Sequence, residues 1–169
     1  MFKSAAVVMG VTSCGKTSVG EALAEKLGAA FIEGDKLHPA ANVAKMSAGI
    51  PLTDEDRWPW LELVGKALAG RDGRIASCSS LKRAYRERIA RAANRPVAFV
   101  FLDGSRELLQ ARINARRNHF MPPSLLDSQL NTLEPPGPDE NALRLDIASP
   151  VSELVEDATQ WLIKGGTHG

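Results

Sequence analysis

The residues with the most specific chemistry are Gly10-Val11-Thr12-Ser13-Cys14-Gly15-Lys16-Thr17, a G-x-x-x-x-G-K-[ST] string. It follows the apolar run Ala5–Met9 and opens an amphipathic stretch, the strand–loop–helix context that the motif requires. Glycines allow a tight loop whose backbone N–H groups point at phosphate oxygens, and the helix N-terminus adds a favourable potential for an anion. Lys16 is placed to reach the β- and γ-phosphates, and the Thr17 hydroxyl to ligate Mg²⁺. These loop residues and Ser18 are the expected contacts for ATP. A plain Gly-rich turn is the structural alternative. Cys14 has two readings: a thiol activated by the loop's positive potential, or a small residue facing the core.

A second polar group follows the run Ala30–Glu33. Asp35 falls just past a strand end, the side on which parallel α/β sheets bind ligands. Its carboxylate suits taking or orienting the proton of an attacking hydroxyl; the alternative is a cap on the next helix. His38, before Pro39, is either a ligand contact or a capping or packing residue. Arg57, beside Trp58 and Trp60, is either a substrate cation or an ion pair with Asp54. Lys82 and Arg86, four apart, share a helix face; the spacing fits a carboxylate clamp and equally a solvated basic face with Arg83. Arg112, Arg116 and Arg117 approach an Arg- and Pro-rich stretch, and a guanidinium fork there would neutralise charge developed in phosphoryl transfer. The run Ile75-Ala76-Ser77-Cys78 ends without the usual Mg²⁺-holding Asp. Mg²⁺ is therefore expected on Thr17, phosphate oxygens and waters, with Asp35 in its outer shell.

The elements that must hold these groups alternate. Strand-like runs are Ala5–Met9, Ala30–Glu33, Arg74–Cys78, Val97–Leu102 and Leu143–Ile147, each short and apolar as buried parallel strands are. Helical stripes lie between them. Val19, Leu23 and Leu27 precede Gly28, a C-terminal cap, and Leu61, Val64 and Leu68 precede Gly70. Thr53–Asp56 has the spacing of a capping box, yet Pro59 predicts a turn first and the main helix from near Pro59. Ser80 and Ser105 are expected to cap helices running to Ala92 and Asn114. A short helix is expected near Leu125–Leu133, inside a lid spanning about 116–138, and a last helix carries Leu154, Val155, Ala158 and Leu162 on one face. The pattern predicts a single α/β domain over 1–169. It is a three-layer sandwich of the P-loop nucleoside-triphosphate-hydrolase kind, with a five-stranded parallel sheet and a mobile lid.

The sequence has 169 residues, 44% hydrophobic, with net charge +1. That balance argues against a nucleic-acid binder, and no apolar run has the length of a membrane helix. Two cysteines make neither a disulfide framework nor a zinc quartet, so a reducing, cytoplasmic setting is expected. The GTPase strings D-x-x-G and N-K-x-D are absent, which favours a small-molecule kinase with a lid.

The segment Gly34–Leu61 closely resembles the signature of the gluconate kinases, G-D-x-L-H-P-x-x-N-x-x-K-M-x-x-G-x-P-L-x-D-x-D-R-x-P-W-L, and meets it at every fixed position. Cys78-Ser79-Ser80-Leu81-Lys82 with Tyr85-Arg86 is similar to that family's C-S-A-L-K-x-x-Y-R, with Ser80 in place of Ala. Arg116, His119-Phe120, Leu125-Leu126, Ser128-Gln129, Leu133-Glu134 and Pro136 are similar to its lid pattern, and Ser13 stands where its loop usually has Gly. The resemblance implies transfer of the ATP γ-phosphoryl group to the 6-hydroxyl of D-gluconate, with Mg²⁺, in a homodimer. It places a phosphate-binding lid Arg at Arg116, which with Lys16 and the base candidate Asp35 makes the expected catalytic set. With this acceptor, Asp35, His38, Arg57, Lys82, Arg86 and His119 are the expected acceptor contacts, and Arg112, one turn before Arg116, is expected to extend the nucleotide-side face. Two other readings remain open: a kinase with a shikimate-like acceptor, disfavoured because the D-x-D of that family's second strand is absent, Asp35 being followed by Lys36-Leu37, and a silent nucleotide-binding module.

Overall fold

The computed structural model describes residues 2–115 and 123–165. The predicted site residues Arg116 and His119, together with Arg117, lie outside these described residues. Five strands, β1 (Ala5–Met9), β2 (Ala30–Glu33), β3 (Arg74–Ser77), β4 (Val97–Asp103) and β5 (Ala142–Asp146), form one sheet in the order β2-β3-β1-β4-β5. Every pairing is parallel, with Val7 opposite both Ala76 and Phe99. β1 is buried along its whole length, which explains why it reads as an unbroken apolar run. Because all strands run one way, their carboxyl ends share one edge, where the chain leaves β1 for the phosphate loop and β2 for Asp35.

Helices α1 (Lys16–Leu27), α2 (Ala40–Ser47), α3 (Asp54–Leu68), α4 (Arg83–Ala93), α5 (Arg106–Ala115), α6 (Pro123–Thr132) and α7 (Val151–Ile163) complete the chain order. α1 packs against α7, and α3 against α4. Right-handed crossovers from β1 outward to β2, and back through β3 to β4, put α1 and α3–α4 on opposite faces. Buried Leu23, Val64, Ile75, Ile89 and Val100 belong to the core these layers enclose.

Two local expectations are corrected. α3 starts at Asp54 and passes through Pro59. The capping box forms: Asp56 N–H donates to Thr53 Oγ1 at 3.2 Å and Thr53 N–H to Asp56 Oδ2 at 2.9 Å. It nucleates the first turn before proline acts, and Glu55, whose carbonyl Pro59 leaves unbonded, is exposed where water serves it. Ser80 does not cap α4. It adopts φ 50°, and the Arg83 N–H is bonded instead by Glu134 Oε1 at 3.1 Å. Ser105 does cap α5, accepting from Leu108 N–H at 3.1 Å.

Arg86 is a structural tie. It is 2% exposed, with Nε and Nη2 donating to the two carboxylate oxygens of Glu140 at 2.7 and 3.0 Å, and Nη1 to the Ser80 carbonyl at 2.9 Å. Removing one member of such a buried pair strands the other charge. Arg86→Ala is expected to cost about 3–5 kcal/mol of stability, read from urea unfolding of the isolated variant. A loss below about 1 kcal/mol, the size for an exposed pair, would contradict the assignment.

Candidate active site

The phosphate loop takes the conformation its glycines allow. Gly10 and Gly15 have φ 147° and 98°, and Ser13, without glycine's freedom, is held at φ 67°. Lys16 Nζ folds back onto the carbonyls of Gly10 and Val11 at 3.1 and 3.0 Å. The Cys14 side chain is 1% exposed and packs on Gly10, where a Cβ would meet its Sγ at 2.6 Å. Of the two readings for this thiol, the core-facing one describes its position. Cys78 is also buried, and burial pushes its thiol up to about 11. Arg112 Nη1 donates to the Cys14 carbonyl at 3.3 Å and Nη2 to Ile147 O at 2.9 Å, bracing the loop from behind. Thr17 and Ser18 are exposed at the start of α1.

Sequence reasoning missed Glu33. Its Oε2 accepts from the Thr17 hydroxyl at 2.7 Å, and its Oε1 from the Ser77 hydroxyl. The run ending β3 has no carboxylate, as its sequence shows, but the end of the neighbouring strand supplies one beside Thr17, a position for which the sequence alone offered no residue nearer than Asp35. A charged residue closing the apolar run Ala-Phe-Ile was the available signal. Glu33 and Asp35 also form a carboxylate-x-carboxylate pair at the end of β2, so the absence of D-x-D at this strand separates the chain from other acceptor classes less than expected. The hydroxyl–carboxylate pair of Thr17 and Glu33 is an oxygen donor set of the kind Mg²⁺ accepts. Among the described residues, no group of three or more His, Cys, Asp or Glu side chains is placed to hold a metal ion by itself.

On the acceptor side, Asp35 sits in a 3-10 turn, Gly34–Leu37. Gly34 lies so close to β3 that a Cβ would collide with the Ser77 carbonyl. Trp60 Nε1–H donates to the Gly34 carbonyl at 2.9 Å and its ring stacks on His38 at 3.8 Å. Asn42 Nδ2 donates to the Asp56 carbonyl at 2.9 Å and lies 3.2 Å from His38 Nδ1. With the amide donating, His38 accepts at Nδ1 and keeps its proton on Nε2. Asn42 and Trp60 thus position His38, roles the signature contained but did not reveal.

A cavity of about 510 Å³ joins the two sides, lined by Thr12 and Lys16 at one end and by Asp35, His38 and Arg57 at the other. Val43, Met46, Ile50 and Leu125 give it apolar walls. Arg57 Nη1 donates to Tyr85 Oη at 2.9 Å, and Tyr85 donates to Asp54. Lys82 Nζ lies 3.5 Å from the same Asp54 carboxylate, just behind the cavity wall. Burial, with the Asp54 hydrogen bond, pushes the Tyr85 phenol up to about 12, so it stays a donor. Of the three cations proposed for a carboxylate, Arg57 faces the cavity and Lys82 shares its anchor. Arg86 is turned away onto Glu140 and does not complete the expected clamp.

A phosphate loop that opens into an apolar-walled cavity carrying an acid, an imidazole and a fixed cation defines a small-molecule phosphotransferase of the P-loop class. Residues 6–136 match the family model described as AAA domain. The chain is 51% identical to the gluconokinase of Gluconobacter oxydans (strain 621H), over 82% of this chain and 80% of that one. It is 45% identical to the thermosensitive gluconokinase of Escherichia coli (strain K12), over 93% and 86%. A crystal structure of a gluconokinase from Sinorhizobium meliloti 1021 superposes with TM-score 0.90 at 51% identity, covering 96% of this chain and 93% of that one. The chain belongs to the gluconokinase family.

Burial holds the His38 imidazole below its ordinary 6.5, against the pull of Asp35 and with Arg57 adding to the fall. Between the folded value and 6.5 the unfolded chain binds more protons. This contribution to stability is complete above 6.5 and is lost as pH falls through the folded value. Urea midpoints at about pH 7.5 and about pH 5.5 should therefore fall further for the parent protein than for His38→Gln. Equal falls would contradict a buried, neutral imidazole.

Proposed function

We propose that this protein transfers the γ-phosphoryl group of ATP to the 6-hydroxyl of D-gluconate, giving 6-phospho-D-gluconate and ADP. The observation that carries the reading is the single cavity that Lys16 lines together with Asp35, His38 and Arg57. In this reading Lys16 leaves the loop carbonyls and neutralises the β- and γ-phosphates, while the loop N–H groups from Gly10 to Thr17 orient them. Arg57 takes the gluconate carboxylate, supported by Lys82 through Asp54. His38 donates from Nε2 to a hydroxyl, and the apolar wall receives the C–H face of the carbon chain. Asp35 accepts the proton of the attacking hydroxyl as its oxygen bonds to phosphorus and the bond to the ADP oxygen breaks.

Mg²⁺ fits at Thr17 beside Glu33, where it would neutralise charge on the phosphates when bound. Glu33 orients the Thr17 hydroxyl. The segment 116–138 serves as a lid on the single domain 1–169, with Arg116 on phosphate and His119 on the acceptor. Arg112 holds the loop against α5 on the nucleotide side. A homodimer and a cytoplasmic setting complete the reading, the latter supported by free, buried Cys14 and Cys78. No helix among the described residues is long and apolar enough to cross a membrane.

A coupled ADP-release assay over a panel of sugar acids, with shikimate included, tests the assignment. Turnover of D-gluconate above the other acceptors is expected; good turnover of shikimate with inert gluconate would overturn it. Asp35→Asn keeps shape and removes the proton acceptor, so kcat should fall ~10²–10⁴-fold with little change in gluconate KM. Arg57→Ala should lose ~2–5 kcal/mol of gluconate binding and leave nucleotide affinity alone. A raised KM at normal kcat for Asp35→Asn, or parallel loss of ATP binding for Arg57→Ala, would reassign those residues.

A further inference from the structure

The phosphate loop carries a contact that the mechanism above does not use. Thr12 N–H, one of the loop donors, bonds at 2.6 Å to the side-chain oxygen of Gln129, which stands on α6 and is 117 positions away in sequence. Thr12 is buried, and both residues line the cavity beside Lys16. The amide therefore stands at the junction of the phosphate loop and the acceptor space, where the transferred group must cross.

An amide oxygen is a neutral acceptor of the same reach as a phosphate oxygen. Lys16 shows the same self-satisfaction, its ammonium resting on loop carbonyls. Buried donors left empty are costly, and these two have protein acceptors in their place. Neighbouring contacts fix the side chain's origin: Leu126 is fully buried, Arg106 Nε bonds Asp127 Oδ1 at 2.7 Å, and Glu134 N–H bonds Leu81 O at 2.7 Å. With Leu126, Asp127 and Glu134 on either side of it tied to the body of the protein, freeing Thr12 requires only the Gln129 side chain to swing.

We infer that the Gln129 amide occupies the seat of a γ-phosphoryl oxygen, so that ATP displaces it and ADP does not. The inference rests on the kinase reading. It makes Gln129 a residue that separates triphosphate from diphosphate. With ATP bound, the side chain is driven off Thr12. Once the phosphoryl group has moved to the acceptor, the amide returns to Thr12 N–H and fills the seat behind it. Water is kept from that position in the empty and ADP-bound enzyme, and ATP binding carries the cost of one exchanged hydrogen bond.

Calorimetric titration of ADP and of the β,γ-imido analogue of ATP, with Mg²⁺, into the full-length parent, Gln129→Ala and Gln129→Met tests this. Removing the competitor should raise analogue affinity about two- to tenfold, the worth of one neutral hydrogen bond, with ADP affinity unchanged. Gln129→Met preserves volume and serves if the alanine variant is poorly folded. Gln129→Glu puts a carboxylate in the seat and should weaken the analogue against ADP. An unchanged analogue-to-ADP ratio in the Ala and Met variants overturns the inference. So does a ratio that falls, which would make Gln129 a ligand of the phosphoryl group. If the parent protein turns over D-gluconate with ATP while the ratio stays unmoved, this inference alone fails. If the parent neither binds the nucleotides nor turns over gluconate, the kinase reading fails with it.

Discussion

The approach of Gly34 to the end of β3 is the constraint on which the site depends. No side chain fits between Gly34 and the Ser77 carbonyl. Its N–H donates to Ser77 Oγ at 3.3 Å and its carbonyl is held by Trp60. The turn is thus pinned on three sides, and the residues flanking it diverge. Glu33 reaches across to Thr17 at the start of α1, and Asp35 faces the cavity. One backbone position therefore sets the spacing between phosphate side and acceptor side. A mispositioning of about 1 Å costs on the order of a hundredfold in rate for reactions of this kind, which is why the packing around a glycine matters to chemistry.

The charges around the cavity are paired in a way that keeps them in place without consuming them. Asp54 serves Tyr85 and Lys82, and Tyr85 in turn receives Arg57. The Tyr85 hydrogen bond, ahead of the opposing effect of burial, holds the Asp54 carboxyl below the usual range, with Lys82 and Arg57 adding to it. Arg57 uses one nitrogen on this anchor and keeps the remaining donors of its fork for an acceptor. Arg86 contrasts with it: its fork is fully engaged by Glu140 and Ser80, so it stiffens α4 and has little left for a substrate.

The parts legible in the sequence are those written in consecutive residues. The loop Gly10–Thr17 announces itself because strand, loop and helix follow one another directly, and the strands from Ala5 and Val97 announce themselves because burial on both faces leaves almost only apolar residues. The segment from Gly34 to Leu61 carried the family resemblance for the same reason. What the sequence hid depends on partners far along the chain. The face shared by Lys82 and Arg86 was visible, but Glu140, 54 positions on, decides what Arg86 does. Glu33 looked like the polar end of a strand until Thr17 and Ser77 met it. Pro59 was read by its intrinsic preference, and the capping box with an exposed Glu55 outweighed it.

The most direct measurement of whether the Glu33-Gly34-Asp35 turn sets the reaction geometry is steady-state kinetics of Gly34→Ala, alongside titration with an ATP analogue to confirm a folded phosphate loop. A methyl group there must push the turn off the Ser77 carbonyl while leaving Lys16, Thr17 and Arg57 chemically intact. The expected result is a kcat reduced about a hundredfold or more with nucleotide affinity close to that of the parent protein. A Gly34→Ala enzyme that binds nucleotide and phosphorylates D-gluconate at nearly the parent rate would contradict it.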